Sequence, residues 1–188
     1  RLYDKKRPII PGTSGFTISK KEADKSWYLP AIGEICDCTT AHTYMVFCPE
    51  AIDEPLSIRG TYLSSWRSRL HAGVGEKPAM TEEISTIGTS YMSDETTALY
   101  LRTVLYSLLA NEDMGLLWWT HSDFTTTDMV PYSTYSTNAN KEEGMGLFTA
   151  YGKPKPQAKE MLSFSKVLKK IDYKQMRKRS AQTAVVLS

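Results

Sequence analysis

Lys77-Pro78-Ala79-Met80-Thr81-Glu82-Glu83-Ile84-Ser85 is the stretch whose reading decides the fold. It opens on a proline, runs through small and apolar residues, and ends in two adjacent carboxylates before a loop of small residues. The length and flanking breakers fit a short buried strand. Acids at the end of such a strand are costly to bury, and packing gives no reason for them. A polar loop following a core strand is the plain alternative, so the neighbouring segments must decide between them.

Three further strand-like runs flank it. Pro8-Ile9-Ile10-Pro11-Gly12-Thr13-Ser14 comes first, with prolines that confine it to short or irregular pairing. Ile35 to Phe47 is the second, and Gly115-Leu116-Leu117-Trp118-Trp119-Thr120 follows later. Between them lie helical patterns. Ala98, Leu101, Leu105, Leu108 and Leu109 recur at helical spacing over 96–111, behind a Ser93-Asp94-Glu95 start that suits a capping hydroxyl and acids facing the helix dipole. Residues 56–71 form a second helix with Leu63, Trp66 and Leu70 on one side, ended by Gly73-Val74-Gly75. Residues 156–170 form a third, with Met161, Phe164 and Leu168 inward and Lys159, Lys166 and Lys169 outward. Strand and helix therefore alternate from about residue 35 to residue 170, the pattern of parallel strands joined by helical crossovers. In α/β barrels the carboxyl ends of the strands carry the catalytic groups, and Glu82 and Glu83 stand at such an end.

The bulk properties narrow the classes. With 41% hydrophobic and 23% charged residues, the 188-residue chain is an ordinary globular one with material for a single substantial core. A formal charge of +2 gives no electrostatic case for nucleic acid or a membrane surface. The basic cluster from Lys174 to Arg179 reads as a solvated helix end or linker. Cys36, Cys38 and Cys48 are too few and too irregular for a disulfide framework, and no histidine pair accompanies them at metal-ligand spacing. No cofactor and no metal are expected, and no apolar run is long enough to span a bilayer. The compartment stays open. The serine-hydrolase alternative, using Ser14 or Ser122 with a histidine, lacks a Gly-x-Ser-x-Gly elbow.

Three segments carry chemistry in order. His42 and Tyr44 stand two apart on the second strand, so they project to the same face. The paired glutamates close the third. Trp118-Trp119 end the fourth and are followed by His121 and Asp123. In that order, His42-Thr43-Tyr44, Lys77 through Ser85, and Gly115 through Trp119 resemble the C-terminal half of a retaining glycoside hydrolase of the (β/α)8-barrel clan, most closely glycoside hydrolase family five and its mannanase-like members. The resemblance implies an α/β fold, a TIM barrel of which this chain supplies about strands five to eight over residues 1–172. It leaves 173–188 as a linker and the possible start of a further C-terminal domain. It implies a hydrolase cleaving β-linked sugars of mannan, glucan or β-galactoside type with retention, bound to an oligo- or polysaccharide.

By the same resemblance Glu83, which precedes the positions of the family's aromatic-Gly pair, is the nucleophile, and Glu82 is the alternative. Here Ile84-Ser85 occupy the aromatic-Gly places, a departure that keeps open a non-catalytic carbohydrate-binding barrel. Strand alternation would send only one of the two acids into the pocket. Tyr44 would donate its hydroxyl to the nucleophile, and His42 would serve a sugar hydroxyl or the nucleophile's neighbourhood. Of Trp118 and Trp119 one, with Trp119 favoured, would lie flat under a sugar, and His121 and Asp123 would touch substrate. No Asn-Glu pair precedes residue 35 on a strand end, so the family's acid/base would lie in an N-terminal barrel half outside this sequence, on the same or a separate chain.

Overall fold

A computed structural model of the chain describes residues 4, 6–13, 15–44, 56–86, 92–124 and 144–176. Its elements are α1 (Leu29–Ile35), β1 (Thr39–His42), α2 (Ile58–Gly75), β2 (Ala79–Ile84), α3 (Asp94–Ala110), β3 (Leu116–Trp118) and α4 (Pro156–Leu168), with a short 3-10 turn at Lys20–Glu22. The three strands form one parallel sheet in the order β1-β2-β3. Helices α2 and α3 supply the crossovers, as parallel neighbours require.

The first strand-like run does not become a strand. Residues 8–13 run extended beside the start of β1: the Asp37 N–H donates to the Ile9 carbonyl at 2.9 Å, and Thr13 Oγ1 donates to the Thr40 carbonyl at 2.6 Å. Pro8 and Pro11 lack the N–H groups a ladder needs. Ser14 and the chain from 45 to 47 lie outside the described residues. The second run shortens at its front, because residues 29–35 close into α1, entered through Pro30. The expected break near residue 173 falls at the edge of the described residues, which end at 176.

α3 begins where the sequence places it. The Ser93 hydroxyl accepts from the Thr96 N–H at 3.2 Å, with Asp94 and Glu95 in the first turn. Its buried face, Tyr100, Leu101, Val104, Leu105 and Leu108, forms the core with Leu63, Ile84, Trp118 and Phe164. Each such apolar side chain contributes about 1.5–3 kcal/mol when withdrawn from water. Met161 and Leu168 of α4 pack against this core beside Phe164, as their spacing predicts.

α2 departs from expectation. It runs past the expected residue 71 through Gly75, the last of the glycines expected to end it, and stops at Glu76, whose φ of 51° is left-handed. Trp66 faces solvent, 54% exposed, and the buried face is Gly60, Ser64, Ser65, Arg67, Ser68, His71 and Gly75, with Leu63 alone among large apolar residues. The hydroxyls are spent on neighbours: Ser64 Oγ lies 2.9 Å from Thr43 Oγ1, and Ser65 Oγ accepts from Ser107 Oγ at 2.9 Å. Small residues also let the backbones close in. A Cβ on Gly33 of α1 would stand 2.0 Å from the Gly75 carbonyl oxygen.

Candidate active site

Both acids of β2 reach the same histidine. The β1–β2 pairing runs Thr39↔Ala79, Thr40↔Met80, Ala41↔Thr81 and then His42↔Glu83, so one residue of β2 is skipped between Ala41 and His42. The β2–β3 register shifts over the same stretch, between Thr81 and Ile84. An extra residue of this kind breaks the alternation of faces locally. Ile84 consequently still enters the helical core, while His42 Nδ1 lies 2.9 Å from Glu83 Oε2 and His42 Nε2 lies 3.4 Å from Glu82 Oε2. The expectation that alternation admits only one acid therefore fails, because the register shift places two consecutive side chains around one ring. All three side chains are about one-fifth to one-quarter exposed.

The two carboxylates are not equivalent. Glu82 Oε2 is buried with no hydrogen bond aligned to it among the described residues. Its carboxylate also lies over the first extended segment, 3.6 and 3.7 Å from where a Cβ on Gly12 would stand. The His42 carbonyl accepts from Arg67 Nη1 at 2.9 Å, and Arg67 is buried. Neither Gly12 nor Arg67 was legible as part of this site. Each comes to it from another element, and only the unusual presence of an arginine on a face of Gly and Ser marks Arg67.

Behind the sheet two ionisable groups are shifted by burial. His71 is pushed down to about 4, first by burial and then by the Arg67 charge, against a smaller opposing effect of the Thr40 carbonyl. The Asp113 carboxyl is raised, chiefly by burial, although Ser68, Gly115 and Thr81 donate hydrogen bonds to it. Cys38 is pushed up to about 11 by burial, then by the Asp113, Glu82 and Cys36 charges, so its thiol is inert. Cys36 and Cys38 are both buried and free. Among the described residues no group of His, Cys, Asp and Glu is placed to hold a metal ion.

The remaining expected residues divide. Tyr44 lies two residues beyond His42, just past β1, and is half-buried. Trp118 is buried in the core, and its indole N–H donates to the Met145 carbonyl at 2.7 Å. Trp119 follows it at the sheet end, 37% exposed, with its backbone N–H donating to the Ile84 carbonyl at 2.9 Å. His121 is exposed, stacks on Phe148 at a centroid distance of 4.9 Å, and has Nδ1 2.8 Å from Ser122 Oγ. Asp123 is committed elsewhere: both oxygens accept from Lys155 Nζ, at 3.0 and 3.2 Å, and Oδ1 also accepts from the Gly146 N–H at 2.8 Å. The ion pair anchors the loop that carries Asp123 to the start of α4. Lys155 itself is 4% exposed and also pairs with Asp94 at 3.0 Å.

A parallel strand–helix layer with titratable groups at the carboxyl ends of its strands defines the class: the fold is shared with TIM-barrel glycoside hydrolases. Among solved structures, a GH5_18 protein from Streptomyces cattleya in complex with Manb1-4GlcNAc is 14% identical with a TM-score of 0.64, the match covering 85% of this chain and 37% of that one. A GH5_18 protein from Bifidobacterium longum subsp. infantis is 17% identical with a TM-score of 0.59, covering 73% and 32% respectively. The exo-beta-1,4-mannosidase Op5Man5 from Opitutaceae bacterium strain TAV5 is 23% identical with a TM-score of 0.59, covering 72% and 23%. The chain thus resembles family-five-like glycoside hydrolases over about a third or less of their length. No protein-family profile matches the sequence, and no curated protein matches it.

Proposed function

We propose that the chain is part of a retaining glycoside hydrolase acting on β-linked sugars, with the segment 8–13, β1, β2 and β3 in the places of barrel strands five to eight. One observation carries the reading: a histidine and two glutamates meet at the carboxyl ends of adjacent parallel strands, where a barrel opens to its substrate. In such an enzyme a carboxylate attacks the anomeric carbon to form a glycosyl-enzyme. A second carboxyl group, about 5–5.5 Å away across the scissile bond, protonates the leaving oxygen and then activates water. Glu83 takes the nucleophile's part. Its partner acid/base comes from the barrel half outside this sequence. Trp119 offers a flat apolar face on which the C–H bonds of a pyranose stack. β-Mannosides are the substrate class to try first, because two of the similar structures are described by a mannosyl ligand or mannosidase activity.

The core position of Ile84, fully buried where the resemblance places an aromatic residue, favours a second reading in which the barrel binds sugar without cleaving it. Mechanism-based labelling separates the two. A 2-fluoro-β-mannoside or 2-fluoro-β-glucoside incubated with the natural full-length protein is expected to leave an adduct on the peptide carrying Glu83. Sugar binding without an adduct on either glutamate selects the binding reading.

A further inference from the structure

We propose that Glu82 is a positioning residue that fixes the His42 imidazole against Glu83. The proposal deepens the glycosidase reading and depends on it only for its kinetic arm. An imidazole held at one nitrogen retains freedom to swing about its side-chain bonds and to flip. Held at both, it has one orientation. Here the two ring nitrogens face two different carboxylates, Nδ1 at 2.9 Å from Glu83 and Nε2 at 3.4 Å from Glu82. The contact to Glu83 is at hydrogen-bond distance, whereas no hydrogen bond is aligned to Glu82 Oε2, so Glu82 acts on the ring through its charge at short range. Arg67 holds the His42 carbonyl at 2.9 Å from the helix side, which fixes the backbone from which the ring projects.

The difference between the two acids assigns their parts. An attacking oxygen must be open to the substrate. Glu82 Oε2 is closed off from solvent, and its carboxylate is turned toward Gly12. An unbroken ladder would pair His42 with Glu82; the register shift pairs it with Glu83 instead, so the irregularity adds Glu83 to a ring that Glu82 already adjoins.

The test is nitrogen-15 NMR of histidine side chains in the natural full-length protein, with His42 assigned through His42→Asn. Glu82→Gln is expected to move the His42 ring-nitrogen signals while those of His71 and His121 stay in place. In the same variant kcat falls about tenfold to a hundredfold, the scale of a misplaced group near the chemistry, with KM within about twofold. Glu82→Asp restores part of both readouts. Unmoved His42 signals in Glu82→Gln overturn the positioning role, whatever happens to activity. A 2-fluoroglycoside adduct on Glu82 overturns it as well, because Glu82 is then the nucleophile. A parent protein that cleaves no glycoside removes the enzymatic reading, while the ring signals still decide whether Glu82 holds His42.

Discussion

Two places in the molecule set one base between two acids, and they differ in what surrounds them. At the loop end Lys155 lies between Asp94 and Asp123. Its ammonium also donates to the Gly144 carbonyl at 2.8 Å, the Gly146 N–H donates to Asp123, and Gln157 Nε2 donates to Asp94 at 3.2 Å. The charges are paired there, on segments from residue 94 to residue 157. At the strand mouth His42 lies between Glu82 and Glu83, and among the described contacts no backbone N–H donates to either carboxylate. A charge cluster paired on every side ties elements together. A carboxylate with spare lone pairs beside a titratable ring can still take on chemistry. The same charge pattern therefore serves assembly in one place and is available for reaction in the other.

The largest expected effect tests that division. Glu83→Gln keeps side-chain volume and is expected to lower turnover by roughly 10⁴-fold or more, with an unchanged urea midpoint. Equal losses of activity and stability would break the contrast. Lys155→Met is the mirror experiment: it leaves two carboxylates facing each other, and urea denaturation should show a loss of about 3 kcal/mol, while the folded fraction still labels at Glu83.

Stability against pH sharpens the comparison from behind the sheet. His71 stays neutral in the folded chain down to about 4, whereas the unfolded chain takes up its proton near 6.5. Between those values the unfolded state binds more protons, so stability rises with pH. The contribution is fully present above about 6.5 and is lost as pH falls toward 4, about 3 kcal/mol in all. Urea titrations across that window should flatten in His71→Gln. The adjacent tryptophans give the smallest effects. Trp119→Ala should raise KM about threefold to tenfold with little change in stability. Trp118→Phe should cost about 1–3 kcal/mol of stability, because the Met145 carbonyl loses its donor. Isothermal calorimetry with oligosaccharide and thermal melts measure the two in parallel.

The sequence is readable where local chemistry decides. Ser93-Asp94-Glu95 marks the start of α3, and the leucine spacing marks its buried face. It fails on α2 because the buried side is made of Gly, Ser, Arg and His, which carry no apolar period; Trp66 looks like core and faces water. The three acting segments of the candidate site are legible as runs with acids, His and Trp at their ends. The meeting of both glutamates on His42 is not, because register belongs to a pair of strands and cannot be read from one of them. The pairing of Asp123 is illegible for a similar reason. Its partner lies 32 residues on, inside a Gly-Lys-Pro-Lys-Pro segment, and that lysine is almost wholly withdrawn from water.

The contact between Gly33 and Gly75 has a consequence for how this chain can change. Most helix pairs meet through rotatable side chains, which absorb a substitution by readjusting. Here bare main chain touches bare main chain, and a Cβ on Gly75 would also stand 2.6 Å from the Thr39 methyl group at the start of β1. An added methyl must therefore displace an entire helix, and with it the strand that ends in His42. The two glycines act as a spacer of fixed thickness: a side chain added at either is transmitted along four residues to the mouth of the sheet.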